Sequence, residues 1–332
     1  MNDIERAIQI LRRGGLVAFP TETVYGLGAD ATHSAAVGRI FAVKGRPATN
    51  PLIVHVANAA VARRYAAHWP AAARKLAAAF WPGPLTLVLP KTRRIVAEAT
   101  AGLSTVALRC PDHPMALELL RRFDGPVAAP SANRSTRISP TTAKHVRKEL
   151  GEKVDLILDG GPCRVGIEST VLDLTQGRPV ILRPGQVSRK SIEAIVGPVE
   201  LFQGSADGQR AASSPGQQAV HYAPKTTAFR FEPAEARAIA RRRRRGDGRR
   251  VFVANSAASI AILRKALRDD TIIEMPRTPA AYGRRFYAAL HEADDANAAA
   301  IWIELPPDSP PWHAVRDRIV RATRGGGAGG RP

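Results

Sequence analysis

Short apolar segments alternate with amphipathic helical segments over the first 200 residues, and this alternation constrains the fold more than any other feature of the sequence. The pattern predicts an α/β domain in which helices cover a sheet. The segments that predict strands are Leu16–Phe19, Leu52–Val56, Leu85–Leu89, Thr105–Leu108, Val127–Ala129, Leu156–Leu158, Thr170–Leu174 and Val180–Leu182. Those that predict helices are Asp3–Arg13, Ser34–Lys44, Ala71–Phe80, Pro114–Arg122, Thr141–Leu150 and Ser188–Ile195. We expect Ser34 to cap the second helix and Gly45 to end it.

A second domain is predicted after a break in composition. Residues 203–218 are small and polar, so 201–225 is interpreted as a linker or lid between a domain at 1–200 and one at 226–324. In the second domain, predicted strands and helices again alternate, which favours a small parallel, Rossmann-like sheet. Its sequence contains no glycine-rich dinucleotide fingerprint, so the fold does not by itself predict cofactor binding. Its predicted helices are 233–243, Ser256–Leu267, Pro279–Asp294 and Trp312–Thr323, and its predicted strands are Val251–Ala254, Thr271–Glu274 and Ala300–Glu304. The glycine-rich tail, 325–332, is expected to be disordered.

The composition narrows the class of protein. The formal net charge is +20, which favours polyanionic partners such as RNA or nucleotides, although an arginine-rich codon bias explains such a charge equally well. No apolar run reaches the length of about 18 residues that a membrane helix needs, and the N-terminus lacks the apolar core of a signal peptide. Cys110 and Cys163 have no metal-binding spacing and are expected to be reduced thiols. A cytoplasmic location is therefore expected.

Lys44 and Arg46 flank Gly45 at the end of a predicted helix, about twenty residues after a hydroxyl- and glycine-rich segment, 19–28. Cations at a helix C-terminus complement the helix dipole. Alternatively, lysine and arginine form a clamp for phosphate oxygens, with Asn50 as a further hydrogen-bonding group. The segment 19–28 is expected to place its hydroxyls and open backbone where a strand meets a turn.

Two strands carry a polar residue at a position that an apolar residue would normally fill. His55 lies within Leu-Ile-Val-His-Val, as a core histidine or as a hydrogen-bonding partner of a substrate. Arg109 ends the next apolar strand and needs a counter-charge, which a substrate carboxylate or a buried acidic side chain could supply. Thr105 lies on the same face of that strand as Arg109 because side chains alternate with period two.

Further polar groups lie next to the ends of the predicted strands that begin at residues 127, 170 and 180. The segment 126–140 contains Ser131, Asn133 and Ser139. These residues either form ordinary turns or bind nucleotide phosphates at the edge of the sheet. Ser169 precedes a strand, and Arg183 ends another. We find no Ser-His-Asp arrangement, paired carboxylates or metal-ligand cluster in the sequence. The pattern therefore predicts a site that binds anions and positions them, rather than one that moves protons.

Together these motifs make the chain similar to the long, two-domain form of the threonylcarbamoyl-AMP synthase family. The segments that carry the resemblance are 20–28, 44–55, Trp81–Thr86, Val106–Arg109, Ala129–Asn133, Glu168–Thr170, Leu182–Gly185, Ser214–Gly216 and His221–Pro224. The resemblance implies a YrdC-like domain with a twisted mixed sheet, a linker and a smaller Rossmann-like domain. The sequence departs from many members at 217–220, Gln-Gln-Ala-Val, where they carry a basic or aromatic stretch.

The family makes threonylcarbamoyl-adenylate and pyrophosphate from L-threonine, bicarbonate and ATP, and partner proteins transfer the product to tRNA beside the anticodon. The resemblance implies a threonine pocket at Thr23, His55, Arg109, the backbone of Ala129, and Ser169. It implies Lys44 and Arg46 as catalytic residues and an ATP site at Lys44, Arg46, Asn50, Thr105, Ser131, Asn133, Ser139, Arg183, His221 and Tyr222. Magnesium is expected with the ATP phosphates, but the sequence offers no dedicated metal ligands.

Two other functions compete with the synthase. The first is a non-enzymatic protein that binds double-stranded RNA or tRNA, because basic residues are frequent; they include Arg121, Arg122, Arg134, Arg137, Lys144, Arg147, Lys148 and the cluster Arg241–Arg245 with Arg249 and Arg250. A low aromatic content, 5%, argues against a stacking platform for single strands. The second is a carbamoyltransferase on the same fold, although such enzymes carry additional N-terminal domains.

Overall fold

The computed structural model describes residues 2–202, 221–241, 248–266 and 269–323. The chain divides into two compact units. The first comprises residues 1–135 and 139–219, and the second comprises residues 136–138 and 220–332. Most of the predicted linker and the whole predicted tail lie outside the described residues. Among the described residues, no helix is both long enough and apolar enough to cross a membrane.

The first unit is built around a ten-stranded mixed sheet. Its strands are β1 (Val17–Phe19), β2 (Gly26–Asp30), β3 (Ile53–His55), β4 (Leu85–Pro90), β5 (Thr105–Arg109), β6 (Val127–Ala128), β7 (Leu156–Ile157), β8 (Thr170–Asp173), β9 (Val180–Arg183) and β10 (Glu200–Leu201). Their order across the sheet is β10-β9-β8-β4-β5-β3-β6-β2-β1-β7. The sheet confirms the mixed α/β architecture that the resemblance implies.

Helices pack on this sheet through small and branched apolar side chains. They are α1 (Asp3–Arg12), α2 (Ser34–Lys44), α3 (Ala59–Arg63), α4 (Ala71–Phe80), α5 (Pro114–Phe123), α6 (Ala143–Leu150) and α7 (Arg189–Val196). The larger core cluster lies around Leu27, Val54 and Leu108, and a second cluster joins α1 and α5 to Phe19 and Val127. The apolar faces that the sequence predicts are therefore the faces that the helices bury.

Three local features of the first unit differ from the prediction. Gly26 and Gly28 belong to β2 rather than to a turn, and β2 pairs with β1 and β6. Helix α2 is capped by His33, whose Nδ1 accepts from the Ala36 N–H at 3.1 Å, and not by Ser34. Helix α6 begins at Ala143 because Thr142 is its cap, so the predicted start at Thr141 was too early. Gly45 ends α2 in the left-handed conformation, φ 61°, as predicted.

The second unit contains a four-stranded parallel sheet in the order β11-β14-β12-β13. Its strands are β11 (Ala228–Phe231), β12 (Arg250–Ala254), β13 (Thr271–Glu274) and β14 (Ala300–Glu304). Its helices are α8 (Ala236–Arg241), α9 (Ala257–Ala266), α10 (Pro279–Asp295) and α11 (His313–Ala322). The parallel, Rossmann-like sheet is confirmed, but the sequence prediction had missed β11. Thr136, Arg137 and Ile138 belong to this unit, where the Ala223 N–H donates to the Thr136 carbonyl.

Gly185 allows β9 to leave the sheet against the backbone that carries Ser169. A Cβ added at Gly185 would lie 2.3 Å from the Thr170 nitrogen and 2.6 Å from the Ser169 carbonyl carbon, both main-chain atoms. Because backbone cannot rotate away as a flexible side chain can, we predict that Gly185→Ala lowers the free energy of unfolding by about 2 kcal/mol or more, as measured by urea denaturation. Gly177→Ala is the control, since a Cβ there meets no atom within 4 Å. Equal stability of the two variants would contradict the close packing of Gly185 against the backbone of Ser169 and Thr170.

Candidate functional site

Arg109 is the most deeply buried cation of the proposed threonine group, with 4% of its surface exposed. Its Nη2 donates to Thr23 Oγ1 at 2.9 Å and lies 2.8 Å from Glu22 Oε2. Its Nε donates to the Gly83 carbonyl at 3.4 Å, and Nη1 has no hydrogen-bond partner among the described residues. One edge of the guanidinium is therefore fixed, and the remaining nitrogen can bind a ligand.

Glu22 is a site residue to which the sequence analysis assigned no role. Only 1% of its surface is exposed. Apart from the ion pair with Arg109, neither carboxylate oxygen accepts a hydrogen bond in the described part of the chain. The sequence did contain a signal for this role. Arg109 was expected to need a counter-charge, and Glu22 is a carboxylate between two threonines of the segment 19–28.

The other residues of the proposed threonine group lie around the same end of β5. The register of β3 and β5 pairs His55 with Arg109. The register of β4 and β5 pairs Leu87 with Leu108, which puts Thr86 beside the end of β5, and Thr86 Oγ1 is hydrogen-bonded to Ser169 Oγ at 2.8 Å. The structure thus brings Thr23, His55, Arg109 and Ser169 to one end of adjacent strands.

Ala129 completes this group through its backbone. Its N–H donates to the Ile53 carbonyl at 2.9 Å, at the start of β3 and two residues before His55. The N–H is therefore already used within the sheet, and the Ala129 carbonyl is the group left for a ligand.

His55 is buried and neutral. Burial first, and the charge of Arg109 second, lower the pKa of His55 to about 3. Its ring packs edge-on against Phe19 at 5.9 Å, and Nδ1 has no hydrogen-bond partner in the described chain. His55 is thus both a core histidine and a polar group with an unused hydrogen-bonding atom, which a buried site normally fills.

Lys44 is tied to the loop that carries Ser131 and Asn133. Its Nζ donates to the carbonyl oxygens of Ser131 at 2.6 Å and of Asn133 at 2.5 Å. Burial and then the nearby charge of Arg46 lower the pKa of Lys44 well below its usual value, although the carbonyls oppose this shift by accepting from the ammonium. Lys44 is the last residue of α2, where a cation complements the helix dipole, and its ammonium also holds the loop that carries Ser131 and Asn133.

Arg46 and Asn50 form the second part of the proposed ATP group. Arg46 donates from Nε to the Asn50 carbonyl at 3.0 Å and from Nη2 to the Pro51 carbonyl at 2.8 Å, which folds the loop after α2. The side-chain amide of Asn50 is 2% exposed and has no hydrogen-bond partner among the described residues. An unpartnered buried amide costs roughly 1–3 kcal/mol, so it points to a ligand that completes it.

The dipeptide Glu168-Ser169 connects two further candidates to the threonine group. Ser139 Oγ donates to Glu168 Oε1 at 2.7 Å, and Arg183 donates from Nε to the Ser169 carbonyl at 3.1 Å and from Nη2 to Ser169 Oγ at 3.2 Å. Thr105 lies apart at the other end of β5, about 13 Å along the strand from Arg109 at the usual rise per residue.

His221 and Tyr222 belong to the second unit. Their rings meet edge-on at 4.0 Å, and the Arg318 guanidinium lies 5.5 Å from the Tyr222 ring centroid. Tyr222 is 1% exposed, and its ring lies 5.6 Å from that of Tyr287 in the same unit. A role of either residue in ATP binding stays a prediction from the resemblance.

Several of the basic residues that suggested an RNA surface have acidic partners. Arg122 pairs with Glu5 and Glu118, and Arg147 pairs with Asp159. Arg250 is buried and pairs with Asp270 at 2.8 Å, so it does not belong to an exposed arginine cluster. The other members of that cluster from 242 to 245 lie outside the described residues.

Comparison with known proteins identifies the family. Residues 9–185 match the Sua5, YciO and YrdC family model, described as telomere recombination, and residues 187–323 match the threonylcarbamoyl-AMP synthase C-terminal domain. The threonylcarbamoyl-AMP synthase of Bacillus subtilis is 40% identical over 97% of this chain and 93% of its own length. That of Pyrococcus abyssi is 39% identical over 96% of this chain and 94% of its own.

Solved structures agree with this assignment. The crystal structure of P. abyssi Sua5 complexed with L-threonine has a TM-score of 0.88 and covers 96% of this chain and 94% of that one. A variant of the same protein, with a histidine and the adjacent tyrosine replaced by alanine, has a TM-score of 0.87 and covers 98% and 94%. The chain therefore belongs to the threonylcarbamoyl-AMP synthase family, in its two-domain form, as the sequence motifs predict.

Replacing Glu22 tests whether it neutralises Arg109. Glu22→Gln keeps the shape of the side chain but leaves the guanidinium buried without its counter-charge, so we predict a loss of about 3 kcal/mol in the free energy of unfolding. Glu118→Gln is the control, because its ion pair with Arg122 is largely exposed and should contribute less than about 1 kcal/mol. Urea denaturation measures both, and a Glu22→Gln variant as stable as the control would contradict the role.

The pKa of His55 predicts a pH dependence of stability. The folded chain keeps His55 neutral down to about pH 3, whereas an unfolded histidine takes up a proton below about pH 6.5. Its contribution is therefore complete above about pH 6.5 and is lost as the pH falls toward 3, by up to about 1.4 kcal/mol per pH unit. Between pH 6.5 and 4.5, His55→Gln should reduce the slope of the unfolding free energy against pH by up to about 1.4 kcal/mol per pH unit, which corresponds to one bound proton. The exposed His68→Gln serves as control, and an unchanged slope in His55→Gln would contradict a neutral His55.

Proposed function

We propose that this chain is an L-threonylcarbamoyladenylate synthase, which makes threonylcarbamoyl-AMP and pyrophosphate from L-threonine, bicarbonate and ATP. The family membership supports the reaction, and the observation that carries the site is Arg109, whose Nη2 is fixed by Thr23 and Glu22 while Nη1 stays unpartnered within the described chain. A guanidinium held in this way is suited to the α-carboxylate of an amino acid.

The threonine site would use the groups around Arg109. Arg109 binds the carboxylate, and His55, Ser169 and the Ala129 carbonyl supply neutral hydrogen-bonding atoms for the hydroxyl and amine. A neutral His55 suits this task, because an imidazolium beside Arg109 would add a second buried positive charge. The bound amino acid would be oriented by its two polar ends.

The reaction itself needs alignment more than proton transfer. The threonine ammonium first loses a proton. The neutral amine then condenses with bicarbonate, which releases water and leaves a carbamate. A carbamate oxygen attacks the α-phosphorus of ATP, and pyrophosphate leaves with the electron pair of the broken P–O bond. Negative charge grows on phosphate oxygens, so positive charge and aligned donors lower the barrier. Exclusion of water protects the labile carbamate.

Lys44 and Arg46 would provide the positive charge at the ATP phosphates. Their present hydrogen bonds support a second effect, since Lys44 holds the backbone of Ser131 and Asn133 and Arg46 holds the backbone at Asn50. The same two cations thus position the proposed nucleotide-binding hydroxyl and amides. The unpartnered Asn50 amide is the group we expect ATP to complete.

Magnesium would be bound by the triphosphate. No group of three histidine, cysteine or carboxylate residues able to hold a metal ion occurs among the described residues. The ion fits the site as part of its substrate, MgATP, where it shields the phosphate charge. The acyl-adenylate product is a reactive mixed anhydride, so a partner acyltransferase that modifies tRNA would consume it.

The substrate requirement tests the reaction. Purified protein with ATP should release pyrophosphate only when both L-threonine and bicarbonate are present, which a coupled pyrophosphate assay measures. We predict that Arg109→Ala raises the KM for threonine by about 10- to 100-fold and changes the KM for ATP by less than about threefold, because hydrogen bonds to a charged group contribute about 1.5–3 kcal/mol. Lys75→Ala, on the exposed face of α4, is the control. Pyrophosphate release without threonine would contradict the function, and equal increases of both KM values would contradict the role of Arg109.

A further inference from the structure

A cavity of about 450 Å³ opens at the carboxyl ends of the parallel strands in the second unit. The loops that follow all four strands line it, through Pro233 after β11, Asn255 after β12, Arg277 after β13 and Pro306 after β14. This volume is within the range of small-molecule sites, and the carboxyl edge is where open α/β sheets bind ligands. None of the residues proposed for threonine or ATP lines the cavity.

The cavity lies at the point where the chain changes direction across the sheet. The connections β11 to β12 and β12 to β13 run toward one edge of the sheet, and the connection β13 to β14 runs back. Right-handed crossovers therefore place α8 and α9 on one face and α10 on the other. The loops after the neighbouring strands β12 and β14 separate, and a crevice remains between them.

The N-terminus of α9, where such sheets usually hold a phosphate, is already occupied by the protein. Glu304 is fully buried, and its carboxylate accepts from the N–H groups of Asn255 at 2.7 Å and Ser256 at 3.0 Å. It also accepts from the hydroxyls of Ser256 and Ser259. These bonds fill the acceptor positions of the carboxylate, so a ligand phosphate must bind elsewhere in the cavity.

Asn255 and Arg277 are two lining residues whose side chains have no hydrogen-bond or ion-pair partner among the described residues. Asn255 is 7% exposed, and its side-chain amide makes no hydrogen bond to any described residue, although its N–H binds Glu304. Arg277 forms no ion pair or hydrogen bond with the described residues and lies on the exposed rim. In contrast, Arg316, the other lining cation, is paired with Glu232 and Asp308.

Part of the cavity lining is flat and apolar, formed by Pro233, Pro306, Pro307 and Trp312, and Trp312 is supported edge-on by Tyr282 at 5.6 Å. The carboxylates of Glu232 and Asp308 also line the cavity, but both are paired with Arg316. Asparagine presents a donor and an acceptor side by side, which is the complement of the N6 and N7 edge of adenine. A planar base against these apolar side chains and a phosphate on Arg277 would use the unpartnered side chains of Asn255 and Arg277 together.

We propose that this cavity binds an adenine mononucleotide, with the base on Asn255 and the phosphate on Arg277. The cavity shares no residue with the proposed catalytic groups, and the proposal does not depend on their assignment. Its occupant is a small nucleotide that carries the AMP group.

Binding of radiolabelled AMP to the full chain, measured by equilibrium dialysis, tests the proposal. Asn255→Leu and Arg277→Gln should each weaken one AMP site by at least about tenfold, while pyrophosphate release with saturating substrates stays within about twofold. Arg237→Gln, an exposed arginine on α8 outside the cavity, is the matched control and should bind AMP as the parent does. Adenosine binding should fall with Asn255→Leu but not with Arg277→Gln, because adenosine lacks the phosphate.

The outcomes separate the proposal from its rivals. AMP binding that is abolished by Lys44→Ala yet unchanged in both cavity variants would place all AMP in the catalytic site and overturn the proposal. Inorganic phosphate that competes fully with AMP, together with no detectable binding of adenosine, would overturn the base-binding role of Asn255. A thermal melt checks folding, and if Asn255→Leu is unfolded, the Arg277→Gln contrast between AMP and adenosine decides the question.

Discussion

The buried ion pair between Arg109 and Glu22 is the interaction on which the candidate site depends. Removing two charges from water is costly, and a pair at 2.8 Å recovers part of that cost only when further hydrogen bonds hold its geometry. Thr23 and the Gly83 carbonyl supply such bonds to the guanidinium, while the carboxylate of Glu22 receives none. Compared with a well-packed apolar pair, a charged pair this poorly satisfied contributes little to stability, although removing only one of its partners is costly. This favours a functional reason for burying it.

The sheet brings this pair to the other candidate groups. β5 ends at Arg109, and it lies between β3, which ends at His55, and β4, which begins beside Ser169. Polar residues that are far apart in sequence thus meet at one end of three neighbouring strands. On the nucleotide side, Lys44 and Arg46 organise loops through backbone carbonyls, so their charges and the positions of Ser131 and Asn50 depend on each other.

Much of this arrangement could be predicted from the sequence, because apolar runs and helical periodicity determine the strands and helices. Strand β2 could not, since Gly-Leu-Gly-Ala-Asp has low strand propensity. Its glycines are explained by tertiary packing, as a Cβ at Gly28 would lie 2.8 Å from the Phe19 ring and 2.9 Å from Val127. The short helix α3 and strand β11 were missed because their segments are brief and adjoin loops. In the site, the sequence predicts that Arg109 needs a counter-charge but does not decide between a substrate carboxylate and a buried acidic side chain. Only the fold brings the Glu22 carboxylate within 3 Å of the Arg109 guanidinium.

The central claim is that Arg109, oriented by Glu22 and Thr23, recognises the carboxylate of L-threonine. The most direct measurement compares the binding of L-threonine and L-threoninol, in which a hydroxymethyl group replaces the carboxylate, by titration calorimetry of the parent chain and of Arg109→Ala. The account predicts that the parent binds threonine about 10- to 100-fold more tightly than threoninol, and that Arg109→Ala binds the two with similar, low affinity. A preference for threonine that survives in Arg109→Ala would contradict it.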